Sequence, residues 1–420
     1  MVTADRTWHG ESMHDVVVVG AGLAGLTCAV ALEECGLDVL VLEAADEVGG
    51  RVRTEVVEGH LCDVGFQLLN PAYPAVRRLL DVPALGLQAF GAGVEVRRDG
   101  VTALVADPRR EPAALARTLA SGLLVPGEVA RLARWAAPSL GSVARLESAP
   151  DCSLAESLDR AGVDGPLRHA VLEPFLAGVL AEDGGRTSAA YVRLLLRSFL
   201  LGTPGLPGDG MRAVPAQLAA RLRRPVQLAS HATLGPGTTV RTATGEVHAR
   251  AVVVATDMDA ASDLRVVAPA PVHGLRTWWF STTDPAPTSR WLRVDAARGP
   301  VVNTAVVSDV APSYAPPGRR LVQATTLVEA ADDERLVRRE LERLWSTSTS
   351  RWDLLVRHDV ARALPFVPPP LVVRRTVALG GGRFVAGDHR DTSSIQGAMV
   401  SGRRAARAVA AELGVAWAAR

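Results

Sequence analysis

The segment between residues 15 and 43 constrains the fold of this chain more than any other. Val16 to Val19 form a continuous β-branched run, which is typical of a buried parallel strand. A glycine-rich turn and a predicted helix follow, and the apolar run Leu37 to Leu42 predicts a second strand. Because parallel strands need a crossover connection, the segment predicts a βαβ unit and an α/β fold.

Each glycine of the turn has its own physical role. Gly20 permits the tight turn out of the strand, Gly22 allows a pyrophosphate to approach the backbone, and Gly25 lets the helix pack closely on the sheet. The helix N-terminus attracts phosphate charge. Glu43 ends the second strand, where a carboxylate accepts hydrogen bonds from a ribose. Together these features predict a Rossmann-like domain that binds an adenine dinucleotide.

A second glycine pair favours FAD over NAD. Gly49 and Gly50 allow another close backbone approach, and Arg51 can make charge-assisted hydrogen bonds to the pyrophosphate from the side opposite the helix.

With Glu43 and Thr54, these residues match the pattern Glu-x(5)-Gly-Gly-Arg-x-x-Thr. In this pattern the chain resembles the FAD-dependent amine oxidase and phytoene desaturase superfamily, which is also called the flavin-containing amine oxidoreductase family. The resemblance recurs in Asp63–Gln67, Phe384–Asp388 and Ser394–Gly402. It implies that the closing segment returns to the FAD domain, with its last helix directed at the flavin C2 carbonyl. The candidate cofactor-binding residues are Gly20, Gly22, Leu23, Ala24, Gly25, Glu43, Ala44, Gly49, Gly50, Arg51, Gly65, Phe66, Gln67, Ala232, Gly387, Asp388, Ser394, Ile395, Gln396 and Ala398.

Two interleaved domains are predicted. Residues 14–80, 204–265 and 373–420 are expected to form the FAD-binding domain. An α+β substrate domain is expected from a mainly helical segment, 81–203, and a strand-rich segment, 266–372. A hairpin at Asp99-Gly100, helical spacing from Glu111 to about Leu200, a loop from Pro204 to Gly210 and a helix from Asp332 to Trp345 support this division.

Composition excludes several classes of partner. The formal net charge is +1, and no Lys/Arg-rich block is present, so neither nucleic acid nor an anionic membrane is expected as a partner. The four cysteines form no metal-ligand pattern, so no metal and a cytoplasmic location are predicted. No apolar run is long enough to span a bilayer, and residues 1–13 are expected to be a disordered leader. The helix Tyr191–Leu201 is expected in the core, with peripheral membrane contact left open. The oligomeric state is not specified.

The chain contains no lysine, because every residue counted as Lys or Arg is Arg. A lysine therefore cannot act as a general base or hold a water beside the flavin, as it does in many amine-oxidising relatives. The aromatic residue that helps to cage the amine in such relatives corresponds to Ser394. Both departures favour carbon–carbon desaturation or saturation of an apolar, isoprenoid-like substrate or secondary metabolite. Amine oxidation, and a redox-neutral or structural FAD, remain alternatives.

No catalytic side chain is assigned from the sequence. Hydride transfer depends mainly on positioning, so catalytic residues can be few. Trp278 and Phe280 are expected on one face of a strand and Trp279 on the other, with the sheet core favoured over a pocket lining. The isolated histidines His60, His169, His273 and His389 are expected to be structural, and His389 is noted because it adjoins Asp388.

Overall fold

A computed structural model describes residues 13–284 and 288–419. Except for Met13, the predicted leader lies outside these ranges. The strands, in chain order, are β1 His14–Val19, β2 Val39–Leu42, β3 Thr54–Val57, β4 His60–Asp63, β5 Gln88–Ala89, β6 Gly93–Arg98, β7 Val101–Ala106, β8 Gly205–Leu206, β9 Thr233–Leu234, β10 Thr239–Thr242, β11 Gly245–Val254, β12 Val272–Thr282, β13 Leu292–Asp295, β14 Val301–Val306, β15 Arg320–Leu327, β16 Asp353–Pro365, β17 Ala378–Gly380 and β18 Arg383–Val385.

In the described ranges, six of the α-helices lie between β7 and β8, and the others lie singly, between strands or after β18. In chain order they are α1 Leu23–Glu34, α2 Pro74–Leu79, α3 Leu115–Leu119, α4 Pro126–Ala136, α5 Val143–Ser148, α6 Leu154–Arg160, α7 Glu173–Leu180, α8 Ala189–Leu201, α9 Ala213–Ala219, α10 Met258–Asp263, α11 Val307–Val310, α12 Glu334–Trp345 and α13 Ile395–Glu412.

The first large sheet has the order β17-β18-β11-β1-β2, extended by β10 and β9 alongside β11. β1 pairs in parallel with both β2 and β11, and β11 pairs in parallel with β18. Val16 to Val18 are fully buried, as expected for the central strand of a parallel sheet. The helix α1 connects β1 to β2, which confirms the predicted βαβ unit and Rossmann-like fold.

The second sheet has the order β16-β12-β15-β14-β13-β6-β7 and is antiparallel except where β13 meets β6. Trp278 and Phe280 lie on one face and form a core with α12. Trp279 points the other way, into the core shared with the first sheet, where its indole N–H donates to the Asp63 carbonyl over 3.3 Å. All three side chains are at most 1% exposed, so they are core residues and not the walls of an open pocket.

Capping residues explain where the helix bounds differ from those predicted. The helix expected from Asp332 begins at Glu334, because the Asp333 carboxylate accepts a hydrogen bond from Arg335 N and serves as the N-cap. The helix expected from Tyr191 begins at Ala189, one residue after its N-cap Ser188. The segment from Pro204 to Gly210, predicted as a loop, also contains the short strand β8, which pairs with β5.

The chain passes repeatedly between the two sheets. The first sheet takes strands from residues 14–80, 204–265 and 373–420, and the second takes strands from the two intervening segments. This topology agrees with interleaved domains, whose residue boundaries stay a prediction. Within the described ranges, no helix combines the length and the apolar character needed to cross a membrane.

Candidate cofactor site

A cavity of about 720 Å³ opens at the carboxyl ends of the parallel strands. Its walls include Gly20 after β1, Glu43 after β2, Ala255 after β11 and Gly387 after β18. Ligands of open α/β sheets bind in this position, because the strand ends and the following helix N-termini meet there.

Bare backbone forms one wall of the cavity. Gly20 has a φ of +105°, and a Cβ there would lie 2.7 Å from the Ala255 carbonyl oxygen, so only glycine fits. Gly22 is the N-cap of α1 and bridges to Gly49, whose amide donates to the Ala21 carbonyl over 2.9 Å. Gly50 lies next to this bridge. The two glycine motifs therefore form a single cradle at a helix N-terminus, which suits a pyrophosphate.

The Glu43 carboxylate is held at one end of the cavity by two backbone amides. One oxygen accepts from Ala21 N over 2.6 Å and the other from Ala45 N over 2.9 Å. Each carboxylate oxygen has a further lone pair, so both can still accept a hydroxyl proton. This geometry fits recognition of a ribose diol.

Arg51 lies beside the cradle and is paired within the protein. Its guanidinium contacts the buried Asp388 carboxylate at 2.7 Å and donates to the Ala363 carbonyl over 2.5 Å. A guanidinium has five N–H groups, so donors remain for a phosphate. Asp388 and Ala363 fix its position from two distant parts of the chain.

The far end of the cavity meets the N-terminus of α13. Ser394 is the N-cap, and its hydroxyl oxygen accepts from Gly397 N over 3.1 Å. Ile395 and Ala398 follow on the wall, and Gln67 lies opposite with its amide donating to the Arg51 carbonyl over 2.9 Å. The positive end of this long helix favours negative charge in the cavity.

Four of the predicted residues lie outside the cavity walls. A Cβ on Gly25 would lie 1.9 Å from the Gly20 carbonyl oxygen, so Gly25 serves helix packing. Gly65 has a φ of +88° and turns the chain into Phe66, whose ring packs edge-to-face on Phe90 and Trp279. The Gln396 side chain instead accepts from Ala75 N. The predicted residues on the walls are Gly20, Gly22, Leu23, Ala24, Glu43, Ala44, Gly49, Gly50, Arg51, Gln67, Ala232, Gly387, Asp388, Ser394, Ile395 and Ala398.

Several parts of the wall are not among the residues predicted from the sequence. Thr256 and Asp257 follow the buried strand β11, and the rule that ligands lie beyond strand ends would have found them. Ala363 and Leu364 come from β16 in the other sheet, and no local signal marks them.

The four histidines singled out in the sequence lie outside the cavity walls. His60 contacts Ser281, His169 lies between Asp164 and Glu173, and the His273 ring packs edge-to-face on Phe366. His389 is buried beside Gly387, and neither ring nitrogen has a hydrogen-bond partner within the described residues. Burial lowers the pKa of His389 to about 4, so the ring is neutral near pH 7.

The cavity combines a glycine cradle, two helix N-termini, a carboxylate at the ribose position and an arginine at the phosphate position. This donor set and shape fit FAD. The fold and site thus define a dinucleotide-binding flavoprotein.

Comparison with known protein families also indicates a flavoprotein. The sequence model of the family described as "Flavin containing amine oxidoreductase" matches residues 23–410. The chain belongs to this family, as the sequence motifs indicated, and the membership confirms the predicted FAD cofactor.

Two curated relatives match over short stretches. Putrescine oxidase from Kocuria rosea is 40% identical over 106 residues, which is 24% of this chain and 22% of the relative. Amine oxidase [flavin-containing] A from Canis lupus familiaris is 41% identical over 100 residues, 23% of this chain and 18% of the relative. The matched stretches thus span about a fifth of those proteins.

A solved structure extends the likeness in fold to the whole chain. A putative protoporphyrinogen oxidase from Exiguobacterium sp. 255-15 superposes with a TM-score of 0.71 at 18% identity, covering 96% of this chain and 100% of that one. At this identity the likeness concerns the fold alone.

Proposed function

We propose that the protein holds FAD noncovalently and uses it for hydride transfer to or from an apolar organic substrate. Carbon–carbon desaturation or saturation of an isoprenoid-like molecule or secondary metabolite is the leading reaction. The observation that carries this proposal is the position of Ser394 at the N-cap of α13. Its hydroxyl caps α13 at the position that corresponds to the caging aromatic residue, and Trp279 and Phe280 are buried in two separate cores, so they form no aromatic cage for an amine.

The proposed role of the chain is mainly to bind and orient. FAD, when bound, accepts or returns the hydride. The cradle of Gly22, Gly49 and Gly50 and the Glu43 carboxylate fix one end of the cofactor, and α13 places positive potential at the other. Noncovalent attachment is supported by the sequence from Gly387 to Gly402, which contains no cysteine.

Amine oxidation is the second candidate, supported by the names of the relatives. Putrescine oxidase and amine oxidase A share about 40% identity with parts of this chain. Against it stand the complete absence of lysine and the small residue at Ser394.

The test is anaerobic mixing of the purified flavoprotein with two panels of compounds while the flavin absorbance is followed. One panel holds primary amines such as putrescine, and the other holds hydrogenated isoprenoid and cyclic precursors of conjugated alkenes. Bleaching by the second panel alone is expected. Bleaching by amines alone would replace the leading reaction with amine oxidation. If neither panel bleaches the flavin and a compound is isomerised instead, hydride transfer with net reduction is wrong.

A further inference from the structure

Exposed apolar side chains concentrate in one short stretch of the helical segment. Thirteen large hydrophobic residues are exposed in the described chain, and six of them lie between residues 115 and 143. They are Leu115, Leu119, Val125, Val129, Leu140 and Val143, each between 37% and 64% exposed. Single exposed apolar residues are ordinary, whereas a cluster marks an interaction surface.

The helix α4 has apolar residues on its outer face and a buried glutamate on its inner face. Glu128 and Trp135 are buried against the protein, and the Glu128 carboxylate accepts from the backbone amides of Leu167 and Arg168. Val125, Val129 and the exposed Ala133 recur every four residues on the outward side. A surface helix normally places polar residues there. The outward side of α4 is therefore apolar where solvent alone would favour charge.

Basic residues of this stretch lack acidic partners. Residues 112–146 contain four arginines and a single glutamate, the buried Glu128, for a net charge of +3. Arg117 reaches Glu95 at 3.6 Å. Across the described ranges, Arg131, Arg134 and Arg145 make no ion pair, although most arginines of the chain do. The sequence shows no basic block because these arginines are spaced widely along helices.

We propose that this apolar-basic face, defined by the six apolar residues above with the exposed Arg134 and Arg145, docks the protein on the surface of an anionic phospholipid bilayer. The apolar side chains would enter the boundary of the acyl chains, and the guanidinium groups would contact the headgroup phosphates. A second copy is the poorer occupant, since two like faces would each bring a net positive charge. The inference is independent of the proposed reaction, because residues 112–146 contribute nothing to the described walls of the FAD cavity.

Vesicle flotation with the full-length holoprotein tests the proposal. The protein is expected to float with vesicles that contain phosphatidylglycerol and to stay behind with pure phosphatidylcholine. The double variant Arg134→Ser/Arg145→Ser should weaken binding on the order of tenfold or more. Leu119→Ser/Val129→Ser should weaken it by lost insertion. The matched control is Arg339→Ser/Val101→Ser, which removes an exposed arginine and an exposed valine elsewhere and should bind as the wild type does.

An unchanged ratio of flavin to protein absorbance shows that each variant is folded. Failure of the wild type to float with phosphatidylglycerol, or equal binding of all variants, would overturn the proposal. So would a wild-type dimer in solution that dissociates in Leu119→Ser/Val129→Ser, because the face would then belong to a second copy.

Discussion

At the scale of single residues, Asp63 joins three distant parts of the chain. Its carboxylate accepts hydrogen bonds from the Thr54 hydroxyl at 2.5 Å, from Met211 N at 2.9 Å and from the Tyr314 hydroxyl at 2.8 Å. Burial nevertheless raises the pKa of Asp63 to about 6. The carboxylate must therefore lose its proton in a site that water does not reach, at a cost of about 1.4 kcal/mol per pKa unit.

Asp63→Asn is expected to change how stability depends on pH. A pKa raised above the unfolded value of 3.8 stabilises the fold at low pH, and this contribution is lost as pH rises through about 6. The advantage of the wild type over the variant should therefore shrink between pH 4 and 6, as measured by thermal unfolding. The lowered pKa of His389, about 4, acts oppositely in the same window, so the wild-type curve alone cannot isolate Asp63.

Tyr314→Phe provides the second arm of this test. It removes a hydrogen bond that lowers the pKa of Asp63, so the loss of stability should continue to a higher pH than in the wild type. If both variants give differences that stay flat with pH, Asp63 does not titrate as the burial implies.

The affinity for FAD is expected to depend on the Glu43 carboxylate. Glu43→Gln replaces a charged acceptor, and hydrogen bonds to charged groups contribute about 1.5–3 kcal/mol, so FAD should bind roughly ten- to a hundredfold more weakly. Equilibrium dialysis of the apoprotein with FAD measures the change. Glu47→Gln is the matched control, because Glu47 pairs with Arg53 and does not line the cavity. Equal affinities of the two variants would mean that the ribose position is assigned wrongly.

At the scale of elements, the contact between α1 and α13 depends on a missing side chain. A Cβ on Gly402 would lie 2.2 Å from the Ala24 carbonyl oxygen in α1. Gly402→Ala gains about 1 kcal/mol in helix propensity. Forced separation of packed helices costs about 1–3 kcal/mol, and here the obstacle is backbone, so the net effect should be destabilising.

Gly127→Ala is the matched substitution for this prediction. Gly127 also lies in a helix, and its nearest neighbour would be the flexible Arg131 side chain at 3.4 Å. Thermal melts should show a lower Tm for Gly402→Ala and an unchanged or higher Tm for Gly127→Ala. A Gly402→Ala protein as stable as the wild type would show that the helix pair adjusts freely.

At the scale of the whole molecule, the absence of lysine bears on the electron acceptor. A positive side chain near the flavin stabilises negative charge that develops on oxygen. Gln67 lies on the cavity wall but is neutral, so reduced enzyme is expected to react slowly with oxygen and to use another acceptor. Anaerobic reduction followed by mixing with aerated buffer measures this rate. Reoxidation as fast as that of an efficient amine oxidase would move amine oxidation to first place.

Local patterns made much of this molecule predictable. The strand β1, its glycine turn and Glu43 lie within thirty residues of sequence, so spacing alone defined the βαβ unit and one end of the site. The Arg51–Asp388 pair and the contribution of Ala363 from β16 depend on how distant segments meet. Such contacts leave no periodic signal in a single sequence.

The strand order also has a consequence for biosynthesis. The contact of β11 with β18, and the wall formed by α13, use β18 and α13, which leave the ribosome after the other strands of the first sheet. Gly20 and Ala398 line the same cavity, so a nascent chain has no complete cavity until residue 398 has been synthesised. The cofactor can be fully enclosed only after α13 has been made, and the edge of β11 that later pairs with β18 stays open until β18 has been made, a state in which chaperones would find it.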